Sequence, residues 1–472
     1  MSLKFGYKAL SIAVASTLTA TAAHAAGMDR SGQDITAFLQ DGTYAEAVYT
    51  YIDADVAGKD IAGKPVSDVA EAYDFFRYGV KTDINDTFSV GVLYDEPFGA
   101  AVQYRGDNNF VANGDATTQA LVKTATPAIQ ARLEASSALT PGQKTAYKEL
   151  LNQLAPTITS PELAHGTADL VRGNPVTKGI ADTLDTIANT ADSLDGQGTN
   201  VEIRTNNITM LVGAKLGANK NFQVYGGPAA QRLNGEVHLR GTAYSGMNGY
   251  DARIATDTQV GWVAGVAYHK PEIALKAALT YRSEIEHEST IAETVPVLAL
   301  RGLDTHTNRD FKVTLPESWN LDFQTGINPT TLLTAKVRYV PWADFDIRPP
   351  TYGDTTKVAT GTSLPIVSYS KDQWSAELGL GKRVSDRLAV SGSVGYDSGA
   401  GNPASTLGPI KGYYSVGLGA KYNVTPQWSL AVGGKYLKFG DATAQVPTGA
   451  KVGEFADNDG YIVGVKLAYQ AK

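Results

Sequence analysis

The chain has 472 residues, a formal net charge of −7 and no cysteine. The missing thiols exclude a disulfide framework and a thiolate metal site, and the acidic balance speaks against a nucleic-acid binder, which needs a basic face. Beyond the first residues no segment offers about 18 consecutive apolar positions, which excludes a helical membrane bundle.

Lys4 and Lys8 form a basic start, Ala9 to Ala22 is small and apolar, and Ala23-His24-Ala25 resembles an A-x-A cleavage site. Residues 1–25 therefore read as a secretory signal peptide, cut after Ala25 or Ala26. The compartment is the periplasm, outer membrane or exterior of a bacterium.

From about residue 44 the chain falls into segments with period-two alternation. Val416, Leu418, Ala420 and Tyr422 point one way; Ser415, Gly417, Gly419 and Lys421 point the other. Trp374, Ala376, Leu378 and Leu380 alternate with Ser375, Glu377, Gly379 and Gly381 in the same manner. Each segment thus has one apolar face and one small or polar face. A soluble sandwich shares that pattern. Two features favour a membrane barrel. Aromatics (Trp374, Trp428 with Tyr436, Tyr461 with Tyr469, Trp319 with Phe323) sit at the ends of apolar faces, as interfacial girdles do. Tight turns, such as 83–86, 384–387 and 423–426, also alternate with long loops.

The expected strands are 44–57, 73–82, 87–105, 199–217, 221–241, 257–269, 272–288, 309–327, 331–347, 368–384, 387–397, 411–423, 427–440 and 459–469. The fold class is an all-β, 14-stranded antiparallel transmembrane β-barrel over 44–472. An insert at 106–198 separates strands 3 and 4. Its residues 113–198 hold a single aromatic, Tyr147. Thr140-Pro141, Ser160-Pro161 and Asn174-Pro175 each place a capping residue before a proline suited to the first helical turn. Ile180, Leu184, Ile187, Ala191 and Leu194 make one apolar helical face, and Leu150, Leu151 and Leu154 another. The insert reads as an extracellular helical cap, a gate, or both.

A barrel of this size holds a lumen. Expected inward polar residues are Lys276, Arg282, Glu284, Glu286, Asp322, Lys336, Arg338, Glu377, Lys421, Lys435 and Lys466. They would either brace the wall as ion pairs or meet a ligand. Pro97-Phe98-Gly99 interrupts strand 3 and Pro228 interrupts strand 5. Proline cannot donate to a ladder, so each marks a bulge; at strand 3 a lateral opening in the wall is the alternative to a bulge that only tunes curvature. His165, His238, His269, His287 and His306 show neither metal-ligand spacing nor a triad, so no catalytic residue and no cofactor is expected.

The runs Leu279-Thr280-Tyr281-Arg282-Ser283-Glu284-Ile285, Leu315-Pro316-Glu317-Ser318-Trp319 and Tyr339-Val340-Pro341-Trp342-Ala343-Asp344-Phe345 resemble the FadL/TodX family of outer-membrane transporters for long-chain fatty acids and other hydrophobic compounds. That resemblance implies a barrel plugged by an N-terminal hatch, here 26–43. It implies capture at extracellular loops, a lumenal pocket and a sideways exit at the strand 3 kink, here Pro97, Phe98 and Gly99. It also implies an arginine for the ligand carboxylate, which counting on from Val224-Tyr225 puts at Arg232; a guanidinium suits a carboxylate in a partly dry pocket. The hatch is shorter than the family's and lacks its Asn-Pro-Ala segment, and the helical loop lies between strands 3 and 4 rather than 5 and 6. No lysine near Ile366 or Val367 matches the one that partners the family's arginine, and the chain ends on Lys472 rather than an aromatic. The expected function is passive uptake of a hydrophobic compound by a monomer surrounded by outer-membrane lipid and lipopolysaccharide. A polar-solute porin and a barrel lipase are the alternatives.

Overall fold

A computed structural model of the protein describes residues 27–173 and 177–471. The signal peptide and the Asn174-Pro175 helix start lie outside the described residues. The wall consists of β1 (Thr43–Asp55), β2 (Tyr73–Asp83), β3 (Phe88–Asp95, then Gly99–Gln103), β4 (Asn200–Leu216), β5 (Phe222–Leu239), β6 (Tyr250–Lys270) and β7 (Leu275–Arg282, then Ile285–Thr294). It continues with β8 (His306–Leu315, then Ser318–Asn328), β9 (Thr331–Val340), β10 (Gln373–Arg383), β11 (Leu388–Asp397), β12 (Lys411–Asn423), β13 (Trp428–Gly440) and β14 (Asp459–Ala471). Each strand runs antiparallel to the next, and β1 pairs with β14, so the sheet closes as a 14-stranded barrel. Closure leaves no backbone edge facing lipid.

Burial is inverted relative to a soluble protein. Leu418 and Met210 are 76% and 57% exposed, while Lys81 and Arg77 on the inner face of β2 are 1% and 7% exposed. That inversion, with closure, removes the sandwich. Two aromatic belts bound the apolar band. Trp262 packs at a tilt against Tyr281 at 5.0 Å, Tyr281 against Trp319 at 4.7 Å and Tyr339 against Trp374 at 4.6 Å at the outer level. Phe222 with Tyr268 and Trp428 with Tyr469 mark the inner level.

Strands 9 and 10 are shorter than the alternation predicts. Val340 ends β9, and the connection to β10 carries a two-residue hairpin, Asp346–Ile347 with Val367–Ser368, and helix α5 (Pro350–Thr360). The last turns of alternation there belong to a loop that dips onto the lumen. The β3–β4 connection carries α1 (Gly114–Ala135), α2 (Pro141–Leu154), α3 (Pro161–Arg172) and α4 (Lys178–Leu194). Thr140 caps α2 in a reciprocal pair with Gln143, and Ser160 caps α3 through the Leu163 amide. Leu184, Ile187, Ala191 and Leu194 are buried as the stepping pattern requires. Together with Tyr250, Phe311, Val313 and Trp342 these helices form a continuous apolar core that stoppers the outer half of the lumen.

Pro228 does not break β5. The strand runs through it opposite Trp262 of β6, while the β4 ladder passes from Thr209–Ala229 to Val212–Gly226. Gly227 is required there: a Cβ would stand 2.0 Å from the Met210 carbonyl oxygen.

Candidate functional site: the hatch and the gap between β2 and β3

Residues Gly27 to Gly42 fold into the lumen ahead of β1. Their polar half cannot be buried without partners, and the wall supplies them. Arg338 on β9 holds Asp29 through Nε to Oδ2 at 2.6 Å and Nη2 to Oδ1 at 3.0 Å. Asp34 meets Lys336 at 3.0 Å and Arg77 at 3.4 Å, and Lys336 also meets Asp322 at 3.0 Å. Ser31 donates to Asp95 at 2.9 Å, Ser318 donates to Gln33 at 2.6 Å, and Lys276 donates to the Leu39 carbonyl at 2.8 Å. The apolar half, Ile35, Ala37 and Phe38, packs on Leu93, Leu211, Tyr225 and Val263. Glycines in the wall make room for it: a Cβ at Gly79 would lie 2.7 Å from Ala37 Cβ, and one at Gly91 2.8 Å from Phe38 Cδ2.

The hatch also completes the wall. The β2–β3 ladder runs from Asp83–Ser89 to Tyr78–Tyr94, then stops, and touches again only at Ala70–Val102. Pro97, Phe98 and Gly99 fill the break. The Phe98 amide donates to Thr205 Oγ1 at 2.9 Å and its carbonyl accepts from the same residue, so that edge faces β4. The polar groups of Pro97 and Gly99 face the other way, toward β2, and the hatch meets them. The Arg30 amide donates to the Pro97 carbonyl and the Gly99 amide to the Met28 carbonyl, both at 2.7 Å. The hatch thus stands where β2 should. The Arg30 guanidinium spans the opening, 4.1 Å above the Tyr73 ring on β2 and against Gly99 on β3. From inside, Phe98 meets the edge of Trp342 at 5.5 Å, and the Trp342 indole donates to Gln373 at 2.7 Å.

Several expected site residues land elsewhere. Arg232 is exposed on the outer face of β5, between inward Gln231 and Leu233, so it cannot meet a lumenal carboxylate. It shares the parity of lipid-facing Phe222 and Val224. Glu284 and Glu286 are exposed too, because β7 breaks at Ser283-Glu284 and its inward residues change from Arg282 to Ile285 and His287. Arg282 does face the lumen and donates to Thr209 Oγ1 at 3.0 Å. Arg338 and Glu377 face it as well, but in ion pairs, Glu377 with Lys435 at 2.5 Å. Lys466 likewise pairs with Glu46 at 2.8 Å. Glu377–Lys435 and Lys466–Glu46 join wall strand to wall strand, whereas Arg338 holds the hatch. Among the described residues no histidine nitrogen has a serine partner: His287 meets Asp257 and Gln231, and His165 meets Asp185. The hatch residues Asp29, Arg30 and Asp34 escaped the sequence reading. Their signal was the run Asp29-Arg30-Ser31-Gly32-Gln33-Asp34, too polar to be buried unless the inward cations of β2 and β9 receive it.

A closed barrel with an apolar outer face, charges inside and residues 27–42 folded into its lumen defines an outer-membrane channel. The family model described as outer membrane protein transport protein (OMPP1/FadL/TodX) matches residues 74–470, and the chain belongs to that family of outer-membrane transporters of hydrophobic compounds. Among solved structures, a FadL homologue of Pseudomonas aeruginosa aligns at a TM-score of 0.57 and 15% identity, over 91% of this chain and 90% of that one. The toluene transporter TodX of Pseudomonas putida aligns at 0.51 and 10% identity, over 92% and 91%. At these identities the likeness is one of fold. No curated protein sequence matches the chain.

Proposed function

We propose that this protein carries long-chain fatty acids or related hydrophobic compounds passively across the outer membrane. The ligand is captured at the extracellular loops, held in the lumen and released sideways between β2 and β3. One observation carries the reading: along Pro97–Gly99 the wall is completed by the plug itself, so movement of the hatch opens the lumen and the wall together. Burial of an acyl chain, about 0.8 kcal/mol per methylene, drives the transfer without an energy source. The relatives named a FadL homologue and a toluene transporter support the ligand class. With Arg232 outside, the apolar chain rather than a carboxylate contact at that residue carries recognition.

The test uses the cysteine-free background. Asp29 and Phe98 are paired across the gap, so Asp29→Cys with Phe98→Cys ties the plug to the kink. Oleate uptake by cells making this variant should stop on oxidation and return on reduction. Unchanged uptake by the oxidised form removes the lateral route. Gly99→Arg is a poorer probe, since even a Cβ at Gly99 lies 2.4 Å from Arg30 Cζ and displaces the hatch.

A further inference from the structure

The ladder between β6 and β7 is also interrupted. The strands pair from Lys270–Leu275 to Val263–Arg282 and again from Ile254–Ile291 to Asp251–Thr294. Between these blocks residues 255–262 and 283–290 form no ladder pairs with each other, although both pair with their other neighbours, and a single backbone bond, from the Ser283 amide to the Trp262 carbonyl at 3.0 Å, crosses the interval. Each strand carries one extra residue in the interval. Inward side chains step from Asp257 to Ile254 on β6 and from Arg282 to Ile285 on β7. The two insertions cancel, so the register is the same above and below.

Side chains close this seam. Ser283 Oγ accepts from the Trp262 amide at 3.0 Å, and Ser289 donates to the Ala255 carbonyl at 2.7 Å. His287, fully buried, places Nδ1 3.0 Å from Asp257 Oδ2 and Nε2 3.3 Å from Gln231 Oε1. Behind this polar latch the interior is apolar: Leu233, Phe311, Val313 and Leu315 are buried in the core under the helical cap. At its foot stand Trp262 and Tyr281 of the outer aromatic belt. Unpaired backbone is not tolerated in hydrocarbon, but the belt puts this seam just above it, at the height of the outer-leaflet head groups.

We propose that the β6–β7 seam is a side entrance, latched by Asp257 and His287, through which apolar molecules already dissolved in the outer leaflet reach the lumen. For its cargo the proposal rests on the uptake reading above; the seam itself does not. The first test therefore does not use transport. A single cysteine at Leu233→Cys, behind the seam, is labelled with N-phenylmaleimide in the folded protein in liposomes. Adding Asp257→Ala should speed labelling several-fold there and leave a single cysteine at Leu211→Cys, behind the hatch, unchanged. No acceleration at position 233, or equal acceleration at both, overturns the proposal.

The second test locks the seam. The side chains of Asp257 and His287 meet across it at 3.0 Å, so this pair is replaced by cysteines. Oxidised Asp257→Cys/His287→Cys should lose most oleate uptake from preloaded outer leaflets, regain it on reduction, and keep uptake from an aqueous albumin complex. The control Ile254→Cys/Ile291→Cys crosses an intact ladder pair and should change neither. Equal loss from both sources, or none, counts against an entrance. If the parent protein takes up no oleate, the uptake reading fails, while the labelling result still decides the seam.

Discussion

Arg338 of β9 grips Asp29 of the hatch with two parallel hydrogen bonds, and both groups are buried. Arg338→Ala leaves a buried carboxylate without its cation, a loss of about 3–5 kcal/mol. That loss falls on hatch docking, because no ladder bond of the barrel is touched. The variant should keep the parent's thermal unfolding midpoint, yet show faster proteolytic cutting near residues 28–34 and a higher steady current in planar bilayers. A current equal to the parent's would show that other contacts suffice.

Gly79 gives Ala37 its space. Gly79→Ala should push the hatch off the wall, because the added methyl lies 2.7 Å from Ala37 Cβ and 3.1 Å from Leu93 Cδ2. Ala37→Gly in the same chain should restore much of the protease resistance. Restoration specific to this pair, measured as a double-mutant cycle, is the expected result.

Trp342 is fully buried among Phe98, Phe345 and Tyr369. Trp342→Ala removes that packing and leaves the side-chain oxygen Oε1 of Gln373 without its indole donor, at about 3–5 kcal/mol for the cavity alone. The kink should loosen while β9 and β10 stay paired. Faster amide exchange at Phe98 and Gly99, with unchanged exchange at Val337, is the measurement.

The helical cap should be acid-sensitive. The Arg172 hydrogen bond to Asp185, joined by His165, holds that carboxyl below the usual carboxylate range. A depressed carboxyl contributes stability that is complete above its unfolded value of about 4 and is lost as pH falls toward its folded value. Pepsin should cut near α3 and α4 increasingly as pH drops through that window, with the barrel intact. Arg172→Ala should flatten the dependence.

The barrel was readable because lipid and lumen impose opposite chemistry on alternate residues, as Val416 and Leu418 against Ser415 and Gly417 show. What failed was parity. Ser283-Glu284 adds one residue with no marking proline or positive-φ glycine, so every inward assignment beyond it on β7 slipped by one. Arg232 differs for the opposite reason: it lies eight residues from outward Val224, so its parity is legible in the sequence, and the family resemblance points against that parity. The hatch has no period to read. Its structure comes from partners on β2, β7, β8 and β9, and a linear sequence does not show which cation will meet Asp29 or Asp34.

The plug precedes β1, and β1 is half of the β1–β14 closure. Its ion-pair partners sit on β2 and β9, away from that closing pair. A hatch that undocks from them stays tethered through Gly42 to the first residue of β1, so the plug keeps a fixed anchor at the closing seam and can return to its own lumen.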